Sequence, residues 1–240
     1  MNVFWDAIVW LFSPEQYSGP SALPVLLLQQ LGYTAVAVAI AGAIAIPVGL
    51  AIGHTGRGRE IAVAVSGAAR AVPSFGLLVL LVLLMGVLHK PEAAVVTFVV
   101  LAIPALLAGA YSGLEAIDRR VIDAARAMGL TEWQILWRVE IPLGLPLLVG
   151  GIRSAVLQVV ATVTIAAYVG LGGLGLPIIQ GIPLRRIDQV LGGAIVVALL
   201  ALVLDALLAL AQRAAVPAGI RAQAPSRTPR RLRSRPVQAA

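Results

Sequence analysis

Long apolar runs without charge, separated by short charged segments, dominate the pattern along the chain. No charged residue occurs within residues 20–53 or 93–114. Each run is at least as long as the roughly 20 residues that an α-helix needs to cross a bilayer. The predicted membrane spans are residues 23–53, 60–88 with an interruption at Pro73, 93–114, 141–167 and 189–212. We therefore expect an all-α integral membrane protein with about five transmembrane helices.

The two ends of the chain have different patterns. In the N-terminal segment Phe4 and Ile8 recur at helical spacing beside Trp10, which predicts a short interfacial helix with its tryptophans at the surface. The C-terminal segment contains Arg, Pro, Ser and Ala but almost no large apolar side chain, so we expect a disordered basic tail. The predicted domains are residues 1–19, 20–213 and 214–240.

Composition agrees with a lipid environment. Of the 240 residues, 60% are hydrophobic and only 12% are charged. A soluble domain of this size could not bury so many apolar side chains in one core. The net charge of +7 raises the question of nucleic acid. We expect no nucleic-acid partner, because the arginines lie mainly in predicted loops and the tail, where membrane orientation explains them.

Lysine and arginine are distributed unevenly between the two sides of the predicted membrane. Thirteen of them lie in residues 54–60, 115–140 and the segment from residue 213 onward. The other side has three, Lys90, Arg185 and Arg186. Positively charged loops remain in the cytoplasm, so we expect the N-terminus outside and the C-terminus inside.

The sequence offers few groups for catalysis. The chain has no cysteine, a single lysine (Lys90) and two histidines (His54 and His89) in predicted loops. A phosphate-binding loop needs a lysine followed by serine or threonine, and no such sequence is present. We therefore expect no catalytic residue, no metal site and no cofactor bound by this chain.

The predicted cytoplasmic segment 115–140 is longer than a simple connection requires. Its first apolar face consists of Ile117, Val121, Ala124 and Met128. Gly129 is placed to end this helix in a left-handed cap, and Thr131 with Gln134 predicts a capping box for a second helix. Such an amphipathic helix could dock in a groove of a soluble partner, or pack only on lipid and its own bundle.

Two parts of this segment carry a family resemblance. The run Asp-Ala-Ala-Arg-Ala-Met-Gly at 123–129, followed after nine residues by Val-Glu-Ile-Pro at 139–142, resembles the cytoplasmic signature of bacterial ABC-importer permeases. Asp123 stands where the family commonly has Glu.

Other runs in the chain resemble one subgroup of this family. The runs 70–74, 150–153 and 170–175, with Gly181-Ile182, look like the subgroup that imports glycine betaine, choline or carnitine. Methionine-type permeases share several of the glycine-rich features.

The resemblance implies a methionine-importer-like fold and a set of partners in the bacterial inner membrane. Residues Asp123, Ala124, Ala125 and Gly129 would contact a separate ATPase subunit, which uses ATP and Mg. A second permease subunit, identical or paralogous, would complete the path. Residues Gly172, Gly173 and Gly175 would form an outer gate that meets an extracytoplasmic substrate-binding protein. From the residues alone, the glycine-rich stretch 170–181 argues against a regular helix, and a flexible surface loop stays open.

The expected substrate is a small osmoprotectant such as glycine betaine, choline or carnitine. The alternatives are an ABC permease for another small solute such as methionine, and an ion-driven secondary transporter. The latter would need an acidic residue within the membrane for ion coupling. Asp205 is the sole acidic residue clearly inside a predicted span.

Several residues within the spans are candidates for the transport path. Arg70, Arg153 and Asp205 would each cost about 2.5 to 3.5 kcal/mol in mid-bilayer, so they either join helices or line a path. Pro73 and Ser74 predict a kink, and such breaks often line cavities. Small residues at every fourth position predict close helix packing. They are Ala41, Ala45, Gly49 and Gly53, and separately Gly109 and Gly113.

Overall fold

A computed structural model describes residues 3–216 of the chain, and the described part contains α-helices and short helical turns but no β-strand. The helices are α1 (Val3–Phe12), α2 (Leu23–Thr55), α3 (Arg59–Ala71), α4 (Ser74–Met85), α5 (Lys90–Glu115), α6 (Arg119–Ala127), α7 (Glu132–Ile135), α8 (Ile141–Ala166), α9 (Leu176–Gly181) and α10 (Ile187–Ala214). The predicted disordered tail lies, apart from its first three residues, outside the described residues.

Four helical stretches are long and apolar enough to cross a membrane. They are Leu23–Thr55, Val87–Glu115, Glu132–Val169 and Ile187–Ala214. The pair α3 and α4 also passes this test when taken together, although the two helices meet at 83°. The described part therefore has four spans, or five when the broken pair is counted as one, which agrees with the prediction of about five transmembrane helices.

The break between α3 and α4 follows from Pro73. Proline disfavours the helical conformation in the residue before it, and Val72 is extended with ψ 124°. Pro73 is itself extended with ψ 117°, and α4 starts at Ser74. The predicted kink is thus a complete interruption of the helix.

The fourth span begins earlier than its sequence pattern predicted. A π-helical stretch, Leu136–Glu140, joins α7 to α8, so one continuous helical stretch starts at Glu132 instead of residue 141. Proline in a helix lacks a donor and crowds the carbonyl four residues earlier. The wider π-helical turn ends two residues before Pro142 and gives its ring room.

The centre of the bundle is formed by α2, α5 and α8, whose backbones approach closely at glycine. A Cβ added at Gly109 would lie 2.7 Å from the Cα of Gly151, and one added at Gly113 would lie 2.7 Å from the carbonyl oxygen of Gly144. On the other side of α5, a Cβ at Gly49 would lie 2.6 Å from the Cβ of Ala110. The predicted packing through small residues is confirmed.

The periphery is formed by α1 and α10, which pack against each other. Trp10 is only 6% exposed and its ring covers Gly192, so the expectation that this tryptophan lies at the surface is wrong. A glycine on α10 leaves a hollow for the indole, which the local sequence of α1 could not reveal. The other side of α10 exposes large apolar side chains, among them Leu199, Leu202 and Leu207. Lipid is the solvent that suits such a surface.

We expect Gly109→Ala to destabilise the bundle, because the added methyl group must push α5 and α8 apart. Overpacking of this kind costs about 1 to 3 kcal/mol. The thermal unfolding midpoint in detergent should therefore fall by several degrees. Gly32→Ala is the matched control, since a Cβ there meets nothing within 4 Å and alanine favours the helix. Equal midpoints for the two variants would contradict the packing described here.

Candidate coupling site and translocation path

The predicted amphipathic helix is present as α6. It begins one residue after Asp118, whose side chain accepts a hydrogen bond from the backbone N–H of Arg120 at 2.9 Å. Ile117 therefore lies before the helix and not on its face. Gly129 adopts φ +83°, and the N–H of Leu130 bonds to the carbonyl of Ala125, so the predicted left-handed end is confirmed.

The capping box that opens α7 is also confirmed. The backbone N–H of Gln134 donates to the hydroxyl of Thr131 at 3.4 Å. The Gln134 side-chain oxygen accepts from the backbone N–H of Thr131 at 3.0 Å. Because this cap fixes where α7 begins, it also fixes the position of Glu132 in its first turn.

The apolar face of α6 points away from the protein's own bundle. Val121 is 42% exposed and Met128 is 74% exposed, and Ala124 between them is exposed as well. We call these three residues the α6 outer face. Ala125 is only 3% exposed and packs inward. Of the four residues assigned to ATPase contact, Asp123, Ala124 and Gly129 are therefore exposed, whereas Ala125 seats the helix on the bundle.

A group of polar side chains ties α6 to the bundle. The guanidinium of Arg126 binds Glu132 through two bonds, Nε to Oε1 at 2.8 Å and Nη2 to Oε2 at 3.1 Å. Nε2 of His54 lies 3.6 Å from Glu132, and its Nδ1 lies 2.5 Å from Glu140. We call these four residues the cytoplasmic clasp.

The clasp was not predicted from the sequence. The prediction that His54 lies in a loop is wrong, because this residue lies in the last turn of α2. Glu140 belongs to the π-helical stretch and its side chain is only 8% exposed. The two residues are 86 positions apart, and no local pattern links them. The only available signal was an acidic residue beside an apolar run.

At the other end of the bundle, the glycine-rich segment forms an ordered turn. Gly172 and Gly173 have φ +91° and +77°, values that L side chains rarely adopt. A Cβ at Gly175 would overlap the carbonyl group of Thr164. The predicted absence of regular helix holds up to Gly175, but α9 follows directly and corrects the prediction for residues 176–181.

Two adjacent glutamines of α2 hold this turn. The side-chain oxygen of Gln29 accepts from the N–H of Gly173 at 3.0 Å, and that of Gln30 accepts from Leu174 at 3.2 Å. The amide of Gln30 also donates to the carbonyl of Val160 at 2.8 Å. Gln30 is fully buried. A glutamine pair inside an apolar span is a signal that sequence analysis missed.

The charged residues within the spans divide into paired and unpaired. Arg153 on α8 binds Asp205 on α10 through two bonds, of 2.6 and 2.7 Å. This bidentate pair is the helix-joining contact expected for charges within apolar spans. Arg70 has no such partner among residues 3–216 and borders a cavity beside the Pro73 break, together with Ser74. Asp205, the acidic residue that an ion-driven transporter would need, is therefore already paired.

We expect His54→Leu to destabilise the cytoplasmic end, because it leaves the buried Glu140 carboxylate without its histidine partner. A buried polar group that loses its partner costs about 1 to 3 kcal/mol. The His54→Leu/Glu140→Leu double variant should lose less than the sum of the two single variants, measured as thermal midpoints in detergent. His89→Leu, at an exposed histidine, is the control. Strict additivity would exclude a coupled pair.

Comparison with known proteins places this architecture in one family. Residues 43–218 match the family described as binding-protein-dependent transport system inner membrane component. The chain is 34% identical over 216 residues to the carnitine transport permease protein OpuCB of Listeria monocytogenes, covering 90% of this chain and 96% of that protein. It is 37% identical over 205 residues to the osmoprotectant import permease protein OsmW of Salmonella typhimurium, covering 83% and 94%.

Among solved structures, an inward-facing form of the MetNI methionine ABC transporter matches with a TM-score of 0.72 and 25% identity. The match covers 83% of this chain and 100% of that one. The methionine-importer-like fold is therefore confirmed. By sequence and by fold, this chain belongs to the inner membrane permease components of binding-protein-dependent ABC transport systems.

Proposed function

We propose that the chain forms the translocation path of an importer for a small osmoprotectant such as glycine betaine, choline or carnitine. The names of its relatives support this substrate class, since they describe carnitine, choline, glycine betaine and osmoprotectant permeases. Methionine is the second candidate, because of the likeness to the methionine transporter.

We propose further that α6 docks on a separate ATPase subunit. The observation that carries this step is the α6 outer face, an apolar surface at the predicted cytoplasmic side that the bundle leaves open. Small and unbranched side chains there, Ala124 and Met128, allow close seating in a groove. Asp123 and Gly129 border the same contact, while Ala125 anchors α6 from behind.

The cytoplasmic clasp would transmit movement of the docked helix α6 to the membrane helices. A helix that moved on flexible connections would dissipate the motion of its partner. Arg126 instead joins α6 to Glu132, and His54 joins Glu132 and Glu140 to the end of α2. When ATP and Mg bind and the ATPase subunits close, movement of α6 passes to α2 and α8. A nucleotide that binds the two conformations with different affinity then shifts their populations.

The proposed assembly also includes a second permease subunit and a substrate-binding protein. Two permease subunits, identical or paralogous, enclose the path in the bacterial inner membrane. The distribution of Lys and Arg supports an outside N-terminus and a cytoplasmic C-terminus. The turn with Gly172, Gly173 and Gly175 then lies outside, where a substrate-binding protein delivers the solute. Pro73 and Ser74 lie beside the path.

The substrate class is tested by uptake. The chain is reconstituted in liposomes with an ATPase subunit and a candidate binding protein, and glycine betaine, carnitine, choline and methionine are offered separately. We expect ATP-dependent uptake, and stimulation of ATPase activity, with at least one of the first three. Uptake of methionine alone would contradict the osmoprotectant assignment and identify methionine as the substrate.

The docking role is tested by Asp123→Arg and Ala124→Arg. Both place a long cation at the proposed contact, so we expect the purified complex to lose its ATPase subunit, or its substrate-stimulated ATPase activity to fall at least tenfold. Glu60→Arg is the matched control, a similar charge change at an exposed cytoplasmic position outside α6. Full activity and normal assembly of both α6 variants would refute the assignment.

A further inference from the structure

A polar cavity lies where the broken span meets the centre of the bundle. Its volume is about 660 Å³. Leu101 and Pro104 of α5 line it, and both lie near the middle of that 26-residue helix. Ser154 and Gln158 of α8 line it as well, again near the middle of a 26-residue helix. The cavity is therefore at mid-depth in the bundle.

Four polar side chains line this cavity beside five apolar residues. Arg70 and Ser74 approach from the two sides of the Pro73 break, and Gln158 approaches from α8. The Ser154 hydroxyl donates to the carbonyl of Gly150, but within residues 3–216 the other three side chains have no hydrogen-bond or ion-pair partner. Contact between these unpaired polar groups and lipid would be unfavourable in free energy. The cavity must therefore contain water or solute during function.

The charge of the cavity is positive. Arg70 is the one ionisable residue in its lining. The other intramembrane arginine, Arg153, is neutralised by Asp205. The guanidinium of Arg70 is therefore available to bind an anion, whereas that of Arg153 is not. A free guanidinium presents a planar fork of donors that matches a carboxylate. Serine and glutamine nearby supply neutral hydrogen bonds to the same ligand.

We propose that this cavity is a water-filled section of the translocation path in which Arg70 attracts the carboxylate of a zwitterionic solute. This inference rests on the proposed function and refines it. Glycine betaine and carnitine carry a carboxylate beside the quaternary ammonium, whereas choline carries the ammonium alone. Arg70 would favour passage of the first two and repel the third, so this permease subunit would contribute to selectivity.

The first test uses the absence of cysteine from the chain. A Ser74→Cys variant of the assembled complex is treated with a methanethiosulfonate reagent carrying a sulfonate, and separately with one carrying a trimethylammonium group. Rates are divided by those of a free thiol in solution. We expect both reagents to react and the anionic one to be favoured by about fivefold, the effect of a unit charge several ångströms away in water.

Adding Arg70→Gln to Ser74→Cys should abolish this preference. The ratio of the two rates is the useful quantity, because any effect of Arg70 on thiolate formation changes both rates equally. Ser154→Cys repeats the measurement from α8. Leu199→Cys, at mid-depth on the exposed apolar side of α10, is the control and should react with neither reagent. The proposal would be overturned if neither Ser74→Cys nor Ser154→Cys reacts, with or without nucleotide, or if Arg70→Gln leaves the ratio unchanged.

The second test measures transport with the same ATPase and binding protein throughout. Arg70→Gln should lower uptake of glycine betaine or carnitine relative to choline at least threefold, and Arg70→Lys should restore part of the difference. Arg57→Gln removes the same charge in the loop between α2 and α3 and should leave the ratio unchanged. Equal losses for all solutes would refute the role of Arg70 and leave the osmoprotectant assignment intact. If the unmodified complex transports none of them, the substrate class fails, and the labelling ratio alone decides the inference.

Discussion

Close backbone contact between α2, α5 and α8 is the constraint on which the rest of the structure depends. In lipid no hydrophobic effect drives one apolar helix onto another, so dispersion contacts at short distance must supply much of the association. Gly109 against Gly151, and Gly113 against Gly144, provide that distance. Because these contacts fix α5 and α8 side by side, the polar residues of the two helices keep defined positions at mid-depth.

The polar residues of the bundle fall into those that bond to another residue and those without a partner among residues 3–216. Arg153 and Asp205 satisfy each other, and Gln30 satisfies Val160 and Leu174 with one side chain. Arg70 does neither. An unsatisfied charge at mid-depth is unfavourable unless water reaches it, and that cost is the physical reason to place the path beside the Pro73 break.

Sequence patterns predicted the elements well where the cause is local. Hydrophobic run length predicted the five spans, and Pro73 predicted the break. Gly129 predicted the end of α6, and Thr131 predicted the start of α7. Contacts between distant residues were not predictable in this way. His54 meets Glu140, and Trp10 fills the hollow at Gly192, only because of tertiary packing. The family resemblance identified the α6 residues from the sequence. It did not predict that Ala125 faces inward.

The long helix α2 reaches both the glycine turn and the cytoplasmic clasp. Its 33 residues carry Gln29 and Gln30 near the start, where they hold the glycine turn, and His54 near the end, where it enters the clasp. The helix α2 continues without a break through Pro47, whereas the second span is interrupted at Pro73. Movement of α6 would therefore reach the outer turn through α2, while the break at Pro73 lets the cavity beside Arg70 change shape. Coupling and selectivity would then depend on different spans of the same bundle.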